Sequence, residues 1–122
     1  MTTVVKVTKA NRAELLVNPL FVWVGRPCGR LGMKGSKFAN PWSVGMEWKG
    51  TILTKGQAAA KFARAMAPGS PDVRWAFMRA HIAELRGRIL GCACGDWQPG
   101  QPEIDCHAVH LAKLADATGG EP

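Results

Sequence analysis

Residues 20–24, LFVWV, contain no polar side chain, and Gly25 and Pro27 follow almost at once. A short run of β-branched and aromatic residues that ends at turn residues predicts a β-strand. Residues 3–7, TVVKV, and residues 88–93, RILGCA, predict two more strands. A strand that is apolar on both faces is typical of a parallel sheet covered by helices.

Helical segments lie between and after these strands. Residues 11–17 allow one or two helical turns, and Thr54 is predicted to cap a helix that continues to residue 67. Ser70 with Pro71 predicts the start of a second helix that runs to residue 86, and residues 107–117 predict the last one, with Asp105 as N-cap. Residues 42–53, just before Thr54, suggest a loose hairpin or an irregular cover. A strand, helix, strand order implies a right-handed crossover and a parallel strand pair.

Length and composition agree with this pattern. The chain has 122 residues, of which 47% are hydrophobic, so we expect a single domain over residues 1–122. The predicted fold is a small, three-layer-like α/β domain with a short, mostly parallel sheet and three to four helices. No run approaches the roughly 20 apolar residues that a membrane span requires, which predicts a soluble, cytoplasmic protein with no membrane partner.

The charge is strongly basic, with a formal net charge of +7. No acidic residue occurs between Glu14 and Glu47. The basic residues of that stretch include Arg26, Arg30, Lys34 and Lys37. Positive potential of this kind attracts polyanions, phosphorylated ligands or an acidic partner protein, without selecting among them.

A long loop over residues 25–42 follows the second strand. It contains many glycines together with Pro27 and Pro41, so it cannot form a regular element of any length. Loops of this length in compact domains tend to be functional or disordered. Ligand crevices of open α/β sheets lie outside the carboxyl ends of the strands, and this loop starts at such an end.

Three cysteines near the C-terminus predict a thiol site. Cys92 and Cys94 are two positions apart at a strand end, so their side chains share a face, and Cys106 opens the last helix. Tetrahedral zinc needs four nitrogen or sulfur ligands, or three with water. His107 is adjacent to Cys106, while His110 lies one turn later on the same helix face, and spacing alone favours His110.

Two other interpretations of this cluster stay open. Cys106 at a helix start could be a nucleophile of lowered pKa, with His107 as base or hydrogen-bond donor. Alternatively, the three cysteines are simply buried, since free cysteine is among the most buried residue types.

The motifs together resemble a known family. They are GRP at residues 25–27, NPW at 40–42, ELRGR at 84–88, Cys92, Cys94, CHA at 106–108 and Leu111. In this order, over residues 20–116, they resemble the bacterial and phage family catalogued as domain of unknown function 4326. The resemblance implies a shared fold but brings no mechanism, because the family has no established activity. It implies that the family pattern falls on Gly25, Arg26, Pro27, Asn40, Pro41, Cys92, Cys94, Cys106 and His107. It favours His107 over His110 as the functional histidine.

The leading functional hypothesis is a crevice between the loop of residues 25–42 and the start of the last helix. It would bind a nucleotide or another phosphorylated group, with Arg26 contacting the anion and Asn40 orienting it. Cys106 and His107 would carry any transfer or hydrolysis chemistry.

Two alternatives belong to other classes. One is a non-enzymatic, zinc-stabilised module whose basic loop, with Trp42 and Trp48, binds nucleic acid by stacking and phosphate contacts. The other is a small basic phage protein that binds an acidic host partner. The sequence leaves open whether the protein is an enzyme and which oligomer it forms.

Overall fold

The computed structural model describes residues 1–42, 45–67, 70, 71 and 73–118. The strands are β1 (Thr3–Lys6), β2 (Phe21–Trp23), β3 (Glu47–Trp48), β4 (Thr51–Ile52) and β5 (Ile89–Cys92). The helices are α1 (Arg12–Leu16), α2 (Lys55–Met66), α3 (Ala76–His81) and α4 (His107–Thr118). Short 3-10 turns occupy Gly29–Leu31, Val73–Trp75 and Ile82–Leu85.

The main sheet has three strands in the order β1-β5-β2. Both outer strands run parallel to β5, and one row across the sheet joins Val4, Leu90 and Val22. The carboxyl ends of all three strands therefore lie at one edge. The predicted α/β class, with a mostly parallel sheet and four helices among the described residues, is confirmed.

Each face of the sheet carries its own apolar layer. Val4 and Leu90 belong to the main core, which also contains residues of α2 and α4. Phe21 lies in a smaller cluster on the opposite face, together with Leu15 of α1 and Leu31 of the first 3-10 turn. Side chains alternate between the faces of a strand, so the apolar residues of β1, β2 and β5 divide between two layers.

Gly91 lets the smaller layer approach the sheet closely. A Cβ atom at this position would lie 2.5 Å from Cε1 of Phe21 and 3.0 Å from a methyl group of Val7. Any side chain at this point of β5 would therefore overlap its neighbours, which explains the glycine in an otherwise apolar strand.

The position of β2 differs from the expectation for a fully apolar strand. Phe21, Val22 and Trp23 are only half-buried, because β2 is an edge strand and β5 is central.

The outer side of β1 is closed by Trp97. Its backbone N–H donates to the Val4 carbonyl at 2.9 Å, and the Val4 N–H donates back at 2.8 Å.

The predicted helices are present with shifted boundaries. Thr54 caps α2 as predicted, accepting from the Gln57 N–H while the Gln57 side chain accepts from the Thr54 N–H. The second predicted helix is divided into a 3-10 turn, α3 and another 3-10 turn. The last helix begins at His107, so Cys106, and not Asp105, immediately precedes it. In the described part of the chain, every helix is too short or too polar to cross a membrane.

Candidate functional site

Three thiols converge at the carboxyl edge of the sheet. Cys92 is the last residue of β5, Cys94 lies just beyond it, and Cys106 immediately precedes α4. The chain between them turns back over the edge, and α4 packs against β1 and β5. The three sulfur atoms consequently lie within 4.8 Å of one another, and those of Cys92 and Cys106 are 3.6 Å apart.

The thiols differ in exposure and in their affinity for protons. Cys92 and Cys106 are each 1% exposed, whereas Cys94 is half-buried. Hydrogen bonds from the thiols of Cys106 and then Cys92 hold the pKa of Cys94 well below its usual range. Hydrogen bonding with Cys92 and then Cys94 raises the pKa of Cys106, and burial adds to this. Negative charge in the cluster is therefore favoured on Cys94, the most accessible of the three sulfurs.

His107 lies beside the cluster but points toward the backbone just after β2. Its Nε2 atom lies 2.7 Å from the Val24 carbonyl oxygen, and its ring packs edge-on against Phe62 with centroids 5.0 Å apart. Because a carbonyl oxygen only accepts, this contact requires the proton on Nε2. Burial lowers the pKa of His107, so the ring is held neutral in this orientation.

His110 lies outside the cluster. It is half-buried in a separate shallow depression together with Glu103 and Asp105. In the described part of the chain, the donor atoms grouped for a metal are the three sulfurs, and neither His107 nor His110 contributes to that group. The two histidines predicted as alternative fourth ligands therefore lie outside the donor group, although His107 lines the cavity beside it.

A cavity of about 290 Å³ adjoins the three thiols. Its walls come from β2 and the long loop, from the start of α2 and from the segment that leads into α4. The lining residues include Gly25, Arg26, Pro27, Asn40, Trp42, Lys55, Asp105 and His107, together with Cys92, Cys94 and Cys106. Of the residues predicted for ligand binding, Pro41 is absent from this lining, while Gly25, Arg26, Pro27 and Asn40 are present.

Asn40 joins the long loop to α2. It is 7% exposed, its Nδ2 donates to the Ala58 carbonyl at 3.0 Å, and its Oδ1 accepts from the Trp42 N–H at 2.9 Å. These internal hydrogen bonds occupy its oxygen and one of its two amide protons. The observed contacts therefore make Asn40 a structural clasp at the wall of the cavity.

The GRP motif forms another part of the lining. Gly25 is buried, and a Cβ atom there would lie 2.6 Å from Cζ2 of Trp23. Arg26 is exposed at the cavity, and its Nη2 lies 3.5 Å from the Trp42 carbonyl oxygen. The glycine thus lets the indole of Trp23 lie against the loop, while the next residue places a cation beside the cavity.

Sequence analysis missed Lys55, Asp105 and Trp23 as lining residues. Lys55 is the first residue of α2, and Asp105 comes just before Cys106. Both stand at helix starts, and helix starts in α/β folds gather at the carboxyl edge of the sheet, where ligands bind. That positional rule was the available signal, but it becomes specific only when the helix bounds are known.

The comparisons with known proteins agree with the motif pattern. The family described as "Domain of unknown function (DUF4326)" matches residues 6–117, and the chain belongs to this family. No curated protein and no solved structure matches the chain.

Proposed function

We propose that this member of the DUF4326 family binds a small phosphorylated molecule, with a mononucleotide as the fitting type, beside a zinc ion held by Cys92, Cys94 and Cys106. One observation carries the proposal: a single cavity is lined by all three thiols and by two exposed cations, Arg26 and Lys55. Thiolates hold a soft metal, and cationic side chains hold a phosphate.

The spacing of the sulfurs supports zinc. A zinc–sulfur distance of about 2.3 Å in a tetrahedron places sulfurs about 3.8 Å apart. The sulfurs of Cys92 and Cys106 are 3.6 Å apart, and all three lie within 4.8 Å of one another. Small side-chain rotations would therefore suffice to bring three ligands to one ion. Such an ion would brace the end of β5 against the start of α4 and present a Lewis acid to the cavity.

The charges around the cavity support an anionic ligand. Lys55 and Arg26 approach from α2 and from the long loop, and both are exposed. Asp105 is the carboxylate in the lining, so a ligand phosphate would need to sit toward the two cations. The half-buried indole of Trp23 adds a flat apolar wall suited to a base. About 290 Å³ is at the lower end of ligand pockets, which limits the ligand to about the size of a mononucleotide.

The geometry gives less support to direct chemistry by Cys106 and His107. Cys106 is 1% exposed, and in the zinc-bound protein its sulfur would be a ligand. The Nε2 of His107 is bound to the Val24 carbonyl, so only Nδ1 could face a substrate. Binding is therefore the proposed function, and transfer or hydrolysis stays a hypothesis for these two residues.

The alternative of nucleic-acid binding by stacking on Trp42 gains no support from its position. Trp42 is 7% exposed and packs edge-on against Trp48 and Trp75 at 6.1 and 5.8 Å. The amino group of Lys61 lies 4.9 Å from the ring centroid of Trp48, so this indole already has a cationic partner. The acidic host partner stays a prediction that rests on net charge alone.

Calorimetry with three probes tests the proposal: AMP, adenosine and inorganic phosphate. We expect AMP to bind more tightly than adenosine or inorganic phosphate, which each carry one part of it. Lys55→Ala should weaken AMP by about 10- to 100-fold, because a charge-assisted hydrogen bond is lost. Lys34→Ala is the matched control, since it removes the same charge from an exposed site outside the cavity lining.

Metal analysis of protein purified without chelators or added zinc completes the test, with about one zinc per chain expected. The phosphate part of the proposal fails if none of the three probes binds, or if Lys55→Ala and Lys34→Ala lower AMP affinity equally.

A further inference from the structure

The groups around the three thiols indicate which side of a bound metal ion would be open to solvent and ligands. This inference rests on the metal part of the proposed function. We propose that the cluster is an open metal site, with three protein ligands and a fourth position that faces the cavity and accepts an exchangeable ligand. The chemical class that fits this position is a small monodentate anion, such as a thiolate, or water.

The number of donors supports an open site. Zinc requires four ligands, and structural sites supply all four from the protein. In the described ranges, only the sulfurs of Cys92, Cys94 and Cys106 lie close enough together to hold one metal ion. Cys28 also lines the cavity, but it packs with the smaller apolar cluster on the other face of the sheet and lies outside that group.

The surroundings of the three sulfurs determine which way the fourth position would point. Cys92 and Cys106 are part of the main apolar core, in which Phe62 and Leu90 are also fully buried. The side of the sulfur triangle that faces the core therefore offers apolar groups, and a water or anion there would lose its hydrogen bonds. The opposite side faces the cavity, since all three cysteines line it. A tetrahedral ion above this triangle would direct its fourth position into the cavity.

The charges at the cavity permit an anionic fourth ligand. Three thiolates exceed the charge of a divalent ion by one unit, which by itself disfavours a further anion. Lys55 and Arg26 lie at the same cavity and would offset that charge, so an anionic fourth ligand becomes acceptable. Asp105 also lines the cavity and is the protein group that could compete for the position. A site closed by Asp105 is therefore the outcome that the experiment must separate from an open one.

Cobalt(II) substitution of the full chain provides a readout that needs no enzymatic activity. Cobalt bound by thiolates gives visible absorption bands that respond to a change of ligand. We expect 2-mercaptoethanol to shift these bands with a saturable dependence on its concentration. In Asp105→Asn protein without added thiol, the bands should match those of wild type. Bands that do not shift with 2-mercaptoethanol would overturn the open site. Bands that differ from wild type in Asp105→Asn protein without added thiol would also overturn it.

Two cysteine variants test the ligand set. Cys94→Ser changes the half-buried member of the cluster and should lower cobalt affinity by about 100-fold or more, since a thiolate ligand is lost. Cys28→Ser is the matched control, because it removes a thiol from the lining of the same cavity but not from the cluster, and it should leave cobalt affinity unchanged. Equal losses in both variants would overturn the ligand assignment.

The two proposals can fail separately. A protein that binds AMP through Lys55 but does not bind cobalt would overturn the open metal site and leave the phosphate site standing. A cobalt site that exchanges 2-mercaptoethanol in a protein that binds neither AMP nor phosphate would support the open site and remove the proposed ligand.

Discussion

Replacement of Asn40 distinguishes a structural clasp from a ligand contact. The side chain is 7% exposed and hydrogen-bonds to the Trp42 N–H and to the Ala58 carbonyl. In Asn40→Ala protein the buried Trp42 N–H loses its acceptor. The Ala58 carbonyl lies inside α2 and keeps its helical partner, so its loss is smaller. We therefore expect a clear loss of stability and a smaller effect on ligand affinity.

The magnitude follows from these two bonds. A buried N–H left without a partner costs about 1–3 kcal/mol, and loss of an ordinary hydrogen bond costs about 0.5–1.5 kcal/mol. Together they predict a decrease of about 2–4 kcal/mol in the free energy of unfolding. With a urea m-value of about 2 kcal/mol per M, the unfolding midpoint should fall by roughly 1–2 M.

Urea unfolding followed by tryptophan fluorescence measures this shift. Asn18→Ala is the matched control, because the Oδ1 of Asn18 also accepts from the N–H two residues later, at 2.9 Å, but at an exposed site. Water replaces the lost acceptor there, so its effect should stay within about 0.5 kcal/mol. If Asn40→Ala is as stable as Asn18→Ala but loses AMP binding, the clasp interpretation is refuted and Asn40 contacts the ligand.

Three further predictions address packing, thiol reactivity and pH. Gly91→Ala should lower the free energy of unfolding by about 1–3 kcal/mol, because its Cβ would lie 2.5 Å from the Phe21 ring; unchanged thermal unfolding would contradict this. In metal-free protein Cys94 should alkylate first, and it should still alkylate at pH values below the usual thiol pKa, because hydrogen bonds from its two neighbouring thiols lower its pKa. Peptide mapping after brief alkylation at several pH values measures this. Preferential labelling of a buried thiol would refute it. Burial lowers the pKa of His107 and of His110, so the unfolded chain takes up protons at these histidines more readily than the folded protein does. The free energy of unfolding should therefore fall by at most about 1.4 kcal/mol per pH unit per histidine as pH drops below about 6.5. His107→Gln should flatten part of that dependence in urea titrations of metal-free protein, and an identical pH profile would refute its contribution.

Local patterns predicted most of the secondary structure. Short apolar runs predicted the three strands of the main sheet, and Thr54 with Gln57 three positions later matched a capped helix start. These features depend on residues a few positions apart, so propensity and periodicity are sufficient to find them. The same locality explains why the family, which a match over residues 6–117 confirms, could be recognised from short motifs.

The strand order and the side-chain orientations at the site were less accessible. LFVWV is more apolar than residues 89–92, ILGC. The latter run nevertheless forms the central strand, to which both other strands hydrogen-bond. Spacing favoured His110 as the fourth ligand because it shares a helix face with Cys106. The long-range contact of His107 with Val24 and the depression that holds His110 are invisible to spacing.

By itself, the sequence determined the α/β class, the family, the basic charge and the three cysteines as the residues to examine, because each depends on composition or on neighbours along the chain. Only the tertiary structure decided that the three sulfurs lie within 4.8 Å of one another, that both histidines stay outside their group and that Lys55 and Asp105 share the cavity. The physical reason is that these placements depend on the packing of α4 against β1 and β5 and of α2 against α4, which joins segments far apart in the chain.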